Sequence, residues 1–378
     1  MKQKKLKIAM AWWGTWWHVF PIKSLLEYLE QQKKFSSHIW FIYWFWDKKS
    51  LEKTVFKWLK KSHNPEKKWY TLDFVSIYSG KYRRETFLKS RIKNLRDLFL
   101  FGIWIIQSLF RLIYYKIDVI FCKGWYIALP VVIAGWLLRK KIIVHESDTH
   151  SWLVNKIASK FAWTTFTWFE NVLPKAKTVG QILSEEIIID EKEAKMFIKQ
   201  YPELDKNKSW ILVVWWSQGS QRLYQSIIKA LESDKTLQTD VHFLVVLWLL
   251  NKDLRPQFER FPNVVCFDFV TQKEMGMLCY HCDIAITRAG TTSLAEQKLY
   301  DMKLFIVPIA WTHDQYDNAN RYQDNYWDIL IDQKDEWFLN RLILEIKKHK
   351  EFKKNLTPQD RLATISKAKE QIWEHIID

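Results

Sequence analysis

Short apolar runs alternate along the chain with stretches in which apolar residues recur at helical spacing. Leu6–Ala11 reads as a buried strand, a turn-like segment follows, and a helical period runs from Pro21 to Gln32. The unit then repeats: strands at Ile39–Tyr43, Leu72–Ile77, Val119–Cys122 and Ile142–Glu146 alternate with helices at Ser50–Lys60, Arg91–Tyr114, Ile127–Leu138 and Ser151–Phe161. Strands that alternate with helices predict a parallel sheet in the α/β class. A charged, glycine-poor stretch, 184–209, interrupts the series. The alternation then starts over, with strands at Ile211–Val214, His242–Leu247, Val264–Phe267, Ile284–Thr287, Leu304–Val307 and Ile329–Ile331. Helices fall at Gln221–Leu231, at Ser293–Leu299, from Glu336, and near Pro358–Ile376. The expected architecture is two Rossmann-like, doubly wound parallel-sheet domains, 1–183 and 210–357, with a linker at 184–209 and the C-terminal helix 358–378 joining the first domain. Ligands of such sheets bind outside the carboxyl ends of the strands, so a cleft between two of them is the expected site.

Composition narrows this. With 378 residues and 48% hydrophobic content the chain can build real cores, which excludes a disordered or fibrous class. Lys plus Arg number 58 against 42 acids, a net charge of +16, so an anionic partner is expected: a nucleic acid, a phosphorylated ligand or an acidic membrane surface. The most apolar stretches do not read as membrane spans. Leu98–Tyr115 is interrupted by Gln107, Ser108 and Arg111, and Trp125–Leu138 is short and contains Pro130. Met1–Lys7 does not resemble a signal peptide, and four cysteines fit a reducing cytoplasm. Cys279-Tyr280-His281-Cys282 has metal-like spacing but no second pair, so ordinary helix packing is expected there and no metal.

The chain has 23 Trp and 9 Gly, whereas the usual Gly frequency would give about 26 Gly in this length. Six of the Trp, at 12, 13, 16, 17, 215 and 216, sit in two strand-to-helix turns. Such turns let backbone N–H groups approach a phosphate, which glycine permits without steric cost. Trp136, Trp152, Trp311 and Trp327 also fall at turn or cap positions, while Trp104 and Trp373 lie inside helices as ordinary tryptophans do. The expectation is that many residues written Trp stand where the fold requires Gly, as follows if a codon read as glycine in the source is translated as tryptophan. The competing reading is an aromatic surface that stacks bases or sugars.

With glycine at those positions, 12–21 becomes GGGTGGHVFP and 215–219 becomes GGSQG. These loops resemble those of the MurG family, the N-acetylglucosaminyltransferases of peptidoglycan synthesis. Lys123-Gly124-Trp125-Tyr126 resembles the family's GGY turn, and His145-Glu146-Ser147-Asp148 its HEQN. Arg288–Glu296 resembles its nucleotide-binding loop and helix, and His313-Asp314-Gln315 with Asn318-Ala319 its sugar-binding stretch. The resemblance covers nearly the whole chain. It implies a GT-B fold and an inverting transfer of GlcNAc from UDP-GlcNAc to undecaprenyl-pyrophosphoryl-MurNAc-pentapeptide, with no cofactor or obligatory metal. It also implies peripheral attachment to the cytoplasmic side of the cell membrane.

By that resemblance Thr15, Trp16 and Trp17 open toward the donor. His18, at a helix N-terminus where the dipole keeps an imidazole neutral, is the candidate base for the acceptor hydroxyl; a structural cap is the alternative. Ser217 would hold the diphosphate, Val270 would pack near the uracil, and Thr291, Thr292, Ser293, Leu294 and Ala295 belong to the nucleotide-binding segment. Glu296 would accept from the ribose hydroxyls, and Asp314 and Gln315 would bind the GlcNAc. Two positions depart from the family: Asp148 stands where it has Asn, and Ser184 where it has Arg, which leaves the acceptor less defined than the donor and keeps another UDP-sugar transferase or an epimerase in play. Lys81, Arg83, Arg84, Lys89, Arg91, Lys93 and Arg96 precede the apolar 98–110. Anionic lipids would attract such cations at about 1 kcal/mol each, with Phe99, Phe101, Ile105 and Leu109 entering the interface. An amphipathic helix that turns its apolar face to the core is the competing reading. The rival from another class, a nucleic-acid binder, would show steeply salt-dependent binding and has no use for a Ser217/Glu296 pairing; no nucleic acid is expected.

Overall fold

The computed structural model describes residues 5–11, 16–35, 37–47, 69–77, 88–124, 127–202, 204, 207–215, 221–248, 251–310, 312–356 and 360–378; side chains at 16–20, 47 and 88–99 are not described. The chain divides into two compact units, 1–184 with 363–378, and 185–362.

In the first unit seven strands form one sheet in the order β3-β2-β1-β4-β5-β6-β7. They are β1 (Leu6–Ala11), β2 (Ile39–Asp47), β3 (Thr71–Ile77), β4 (Val119–Cys122), β5 (Lys141–Glu146), β6 (Thr164–Thr167) and β7 (Lys177–Thr178). Every pairing is parallel. Helices α1 (Trp16–Gln31), α2 (Leu88–Tyr114), α3 (Ala128–Leu137) and α4 (Leu153–Ala158) supply crossovers. The central strands are apolar on both faces because helices cover both. One core cluster joins Ile8, Met10, Leu25 and Ile143 to Trp373 of the C-terminal helix; the other joins Ala9, Phe45 and Ile120 to Val131 and Val132 of α3.

The second unit repeats the plan with β8 (Ser209–Val214), β9 (Val241–Val246), β10 (Val264–Phe267), β11 (Ile284–Thr287), β12 (Lys303–Ile306) and β13 (Ile329–Leu330). Their order, β10-β9-β8-β11-β12-β13, is again all parallel and reverses direction between β8 and β11. Its helices are α5 (Glu191–Ile198), α6 (Gln221–Ser233), α7 (Thr236–Asp240), α8 (Arg255–Glu259), α9 (Gln272–His281), α10 (Thr291–Lys298), α11 (His313–Tyr326) and α12 (Phe338–Lys348). The last helix, α13 (Arg361–Ile377), begins in this unit and ends in the first.

Several elements differ from the sequence reading. Helix α1 opens at Trp16 and runs through Pro21 rather than starting there. The 184–209 stretch is not a bare linker: it holds a 3₁₀ turn at Glu185–Ile187 and helix α5, and from Glu185 it belongs to the second unit. The start of α5 is local, because Asp190 Oδ1 accepts from the Glu193 N–H at 2.7 Å and the Glu193 carboxylate accepts back from Asp190 N–H. The helix expected at Ser50–Lys60 lies outside the described residues.

The first turn of the second unit is held by close approach. Tyr300 donates its hydroxyl proton to the Ile187 carbonyl at 2.7 Å and accepts from the Ile189 N–H at 3.2 Å. Helix α9 comes so near that a Cβ at Gly276 would lie 2.1 Å from the Ile187 carbonyl oxygen. Gly276→Ala must push the helix and turn apart, and is expected to cost about 1–3 kcal/mol, read as a lower urea midpoint with unchanged slope.

Candidate functional site

In the first unit polar chemistry collects just past the carboxyl ends of β4 and β5. Glu146 is buried there and takes four donors. Its Oε1 accepts from the Ser147 N–H at 2.7 Å and the Asp148 N–H at 3.0 Å, and its Oε2 from the Trp152 N–H at 3.1 Å and Asn155 Nδ2 at 2.8 Å. One carboxylate therefore shapes the whole turn from β5 into α4. Burial pushes Glu146 up to about 7, further raised by the neighbouring Asp148, while the donors pull the other way. His145 is fully buried, with Nε2 3.1 Å from the Gly180 carbonyl, and burial together with Lys123 lowers it to about 3, so it is neutral. Ser147 donates to Gln181 Oε1 at 2.9 Å, and Ser24 donates to the Leu183 carbonyl, which fixes segment 180–184 against β5 and α1. Asp148 Oδ2 accepts from Trp152 Nε1 at 2.8 Å. Gly124 follows β4 at φ +87, and a Cβ there would meet the Asn155 amide at 2.7 Å, so both the backbone conformation and the space call for glycine.

In the second unit the corresponding edge is built on β11 and β12. Arg288 Nη1 donates to the carbonyls of Val307 at 2.9 Å and Pro308 at 3.0 Å, while its buried Nε has no partner among the described residues. Burial lowers it only to about 10, so it stays cationic. Asn318 Nδ2 donates to the Ala289 carbonyl at 3.1 Å, and Gln315 Oε1 accepts from the Ile309 N–H at 3.0 Å. These bonds fasten the N-terminal half of α11 to the ends of both strands. Gly290 precedes α10 with no side-chain cap, and a Cβ there would meet nothing within 4 Å. A helix N-terminus without a side-chain cap is an arrangement that can receive an anion. Glu296 lies buried farther along α10, and burial raises it to about 8, with Gln272 opposing the rise.

Val270 precedes Thr271, the cap of α9, while Thr291, Thr292 and Ser293 form the first turn of α10, the helix that also carries Glu296. Leu294 and Ala295 are buried, and the Leu294 N–H is used inside the helix by the Gly290 carbonyl. Asp314 lies in the first turn of α11. Asp148 and buried Ser184 belong to the first unit. Thr15, Ser217, Arg83 and Arg84 lie outside the described residues, as do the side chains of Trp16, Trp17, His18, Lys89, Arg91, Lys93, Arg96 and Phe99; the backbone at 16–18 forms the first turn of α1. Asn155 and Gln181 escaped the sequence reading because their bonds close across intervals of 9 and 34 residues.

Helix α2 carries a second surface. Trp104 and Leu112 are buried, and Ile105 and Leu109 pack against the core, which corrects the expectation that those two enter a lipid interface. Ile103, Ile106, Phe110, Ile113 and Tyr114 face outward instead, with Phe110 70% exposed. Phe101 is half-buried. The outward stripe follows helical spacing and was hidden in the sequence because both faces of this half of α2 are apolar. Among the described residues no helix is long and apolar enough to cross a membrane, and no cluster of His, Cys, Asp and Glu could hold a metal ion.

Residues 8–167 match the glycosyltransferase family 28 N-terminal domain, and residues 210–373 match the family 28 C-terminal domain. The UDP-N-acetylglucosamine--N-acetylmuramyl-(pentapeptide) pyrophosphoryl-undecaprenol N-acetylglucosamine transferase of Staphylococcus aureus (strain bovine RF122 / ET3-1) is 30% identical over 335 residues, 86% of each chain. A protein of the same name, numbered 2, from Bacillus anthracis is 28% identical over 340 residues, 86% of this chain and 87% of the relative. The crystal structure of Acinetobacter baumannii MurG superposes with TM-score 0.67 at 17% identity over 99% of both chains. UDP-GlcNAc 2-epimerase from Neisseria meningitidis bound to UDP-GlcNAc gives 0.58 at 12% identity, over 98% of this chain and 99% of that one. These likenesses show the fold, GT-B.

Because the folded state keeps Glu296 protonated up to about pH 8 while an unfolded glutamate ionises near its ordinary value of 4.5, burial of this group stabilises less as pH rises through that window. Glu296→Gln is expected to remove its share of that decline and to raise stability at pH 9 by about 1–3 kcal/mol, with little change at pH 4.5. Urea titrations at both pH values measure it.

Proposed function

The chain belongs to glycosyltransferase family 28, and on that premise we propose that it transfers N-acetylglucosamine, with inversion, from UDP-GlcNAc to undecaprenyl-pyrophosphoryl-MurNAc-pentapeptide. The observation that carries this reading is the second unit's strand edge: a helix N-terminus at Gly290 without a side-chain cap and, on the same helix, buried Glu296. A nucleoside diphosphate supplies the matching groups, an anion for the helix end and ribose hydroxyls for the carboxylate. Thr291, Thr292 and Ser293 add N–H and hydroxyl donors, Val270 an apolar side for the base, and Asp314 and Gln315 polar groups for the sugar.

The reaction moves the anomeric carbon from the departing UDP oxygen to an acceptor hydroxyl. His18, in the N-terminal turn of α1, is the base that takes the hydroxyl proton in this reading. The charge growing on UDP is met by donors at the starts of α6 and α10, with Ser217 as a further hydroxyl donor. A lipid-linked acceptor calls for peripheral attachment at the cytoplasmic face of a membrane. The outward apolar stripe on α2 supports this, with basic 81–96 preceding it to meet anionic lipids.

Labelled UDP-GlcNAc and the lipid-linked muramyl pentapeptide in detergent are expected to give acceptor-dependent transfer. Turnover of UDP-GlcNAc without acceptor, or transfer only to another lipid, sinks the reading. Phe110→Glu is expected to weaken sedimentation with anionic vesicles about tenfold while leaving transfer in detergent intact.

A further inference from the structure

Among the described residues, the non-glycine positions that take positive φ are Lys116, Arg139, Asn171, Lys175, Trp248, Asp301 and Trp327. In that region Cβ crowds the following carbonyl oxygen, which short polar residues tolerate best and bulky ones least. Asn171 and Asp301 are of the tolerant kind, and Lys116, Arg139 and Lys175 are exposed residues with unbranched stems. The two indoles, at φ 56 and φ 57, are the outliers.

At both positions the backbone conformation is set by groups other than the indole. Trp327 ends α11 in the left-handed conformation, its N–H donating to the Gln323 carbonyl at 3.0 Å. The next residue, Asp328, is buried and held from two sides: its Oδ1 accepts from the Leu304 N–H at 2.9 Å and from Lys298 Nζ at 3.1 Å. Lys303 Nζ donates to the Trp327 carbonyl. The chain must therefore turn from α11 toward β13 at residue 327, the place at which helices take glycine. The indole adds nothing to this turn, since Trp327 is 82% exposed and its ring makes no hydrogen bond or ring contact among the described residues.

Trp248 stands where the chain leaves β9. The Leu247 N–H still donates to the Phe267 carbonyl at 2.8 Å; the Trp248 carbonyl then accepts from the Asn251 N–H at 3.0 Å, and the Leu247 carbonyl from Asn251 Nδ2 at 3.1 Å. These bonds use backbone atoms of 247 and 248, so they survive loss of the side chain at 248. The indole meets Phe269 edge-on, with ring centroids 5.5 Å apart, and that ring is itself 57% exposed. Trp373 is the contrast. It lies within α13, fully buried, with Nε1 donating to the Leu25 carbonyl at 3.0 Å, in a site shaped for an indole. A strained conformation persists where the surroundings impose it, and here they impose it on the residue type least suited to it.

We infer that the protein made in its source carries glycine at 248 and 327 and tryptophan at 373. Two codons, one read there as glycine and one as tryptophan, are then written here with the same letter. The composition agrees, with 23 Trp beside 9 Gly where about 26 Gly are usual. The inference does not rest on the proposed transfer.

Trypsin releases 236–252, 322–334 and 370–378 as separate peptides, and their masses in protein isolated from its source report the three positions. Glycine in the first two and tryptophan in the third is the expected result. Tryptophan at 248 or 327, or glycine at 373, overturns the inference. Urea unfolding of the chain that carries all 23 tryptophans tests the backbone argument separately. Trp327→Gly is expected to have an unfolding equilibrium constant about three- to tenfold smaller than Trp327→Ala, and Trp248→Gly the same relative to Trp248→Ala. Alanine keeps the Cβ that crowds the left-handed turn, whereas glycine removes it and gives back part of the gain as freedom of the unfolded chain. Trp373→Gly is expected to raise the unfolding constant about 100-fold or more. Alanine as stable as glycine at 327 and 248 overturns the inference, because the backbone then does not select the residue.

Discussion

Every strand pairing in both sheets is parallel, and the placement of the chemistry follows from that constraint. Parallel neighbours cannot be joined by a tight turn, so each connection crosses over a face and covers it. The strand interiors must then be buried on both sides, as β4, β8, β9 and β11 are throughout. Polar side chains are excluded from the sheet and collect in the loops past the strand ends, where helix N-termini also point. His145 and Glu146 on β5, and Thr287 and Arg288 at the end of β11, stand where the apolar run stops.

The two units use that edge differently. Glu146 and Glu296 are both buried carboxyl groups raised by desolvation, and Glu146 takes four donors from its own turn. A carboxylate already filled by its own chain holds a loop in shape and has little left for a ligand. Burial of a carboxyl group without such donors comes at a cost to the stability of the protein.

The fold was legible in the sequence because the signals it depends on are short-range. Apolar runs gave β1, β4, β9, β10 and β11 to within a residue or so. What escaped was weakly apolar or nonlocal: β6 is Thr-Thr-Phe-Thr, β7 is two residues long, and α5 is hidden in charge until its Asp190–Glu193 cap is seen. The donor-side segment was legible as a motif, since Thr291–Glu296 is contiguous. The cluster past β5 was half legible: His145–Asp148 is contiguous, but Asn155 and Gln181 come to it from other segments. Helix α2 misled for a different reason. Both faces of its second half are apolar, so periodicity could not say which set, Ile105 and Leu109 or Ile106 and Phe110, faces the core.

The tryptophans follow from the same physics of strand ends. A parallel sheet that binds through backbone N–H groups needs chain segments without side chains where a phosphate approaches, and helix ends need residues tolerant of positive φ. A chain with 9 glycines in 378 residues has too few for two such sheets, and here the left-handed positions after β9 and after α11 are both written Trp. Trp215, after β8, is buried edge-on to Tyr224 with its indole N–H unpartnered among the described residues, whereas Trp373 satisfies its own. An indole whose N–H is bonded in a fitted cavity earns its burial; one that strains the backbone or leaves its N–H dry does not. The distinction sorts the tryptophans by local energetics, independently of the motifs in which they occur.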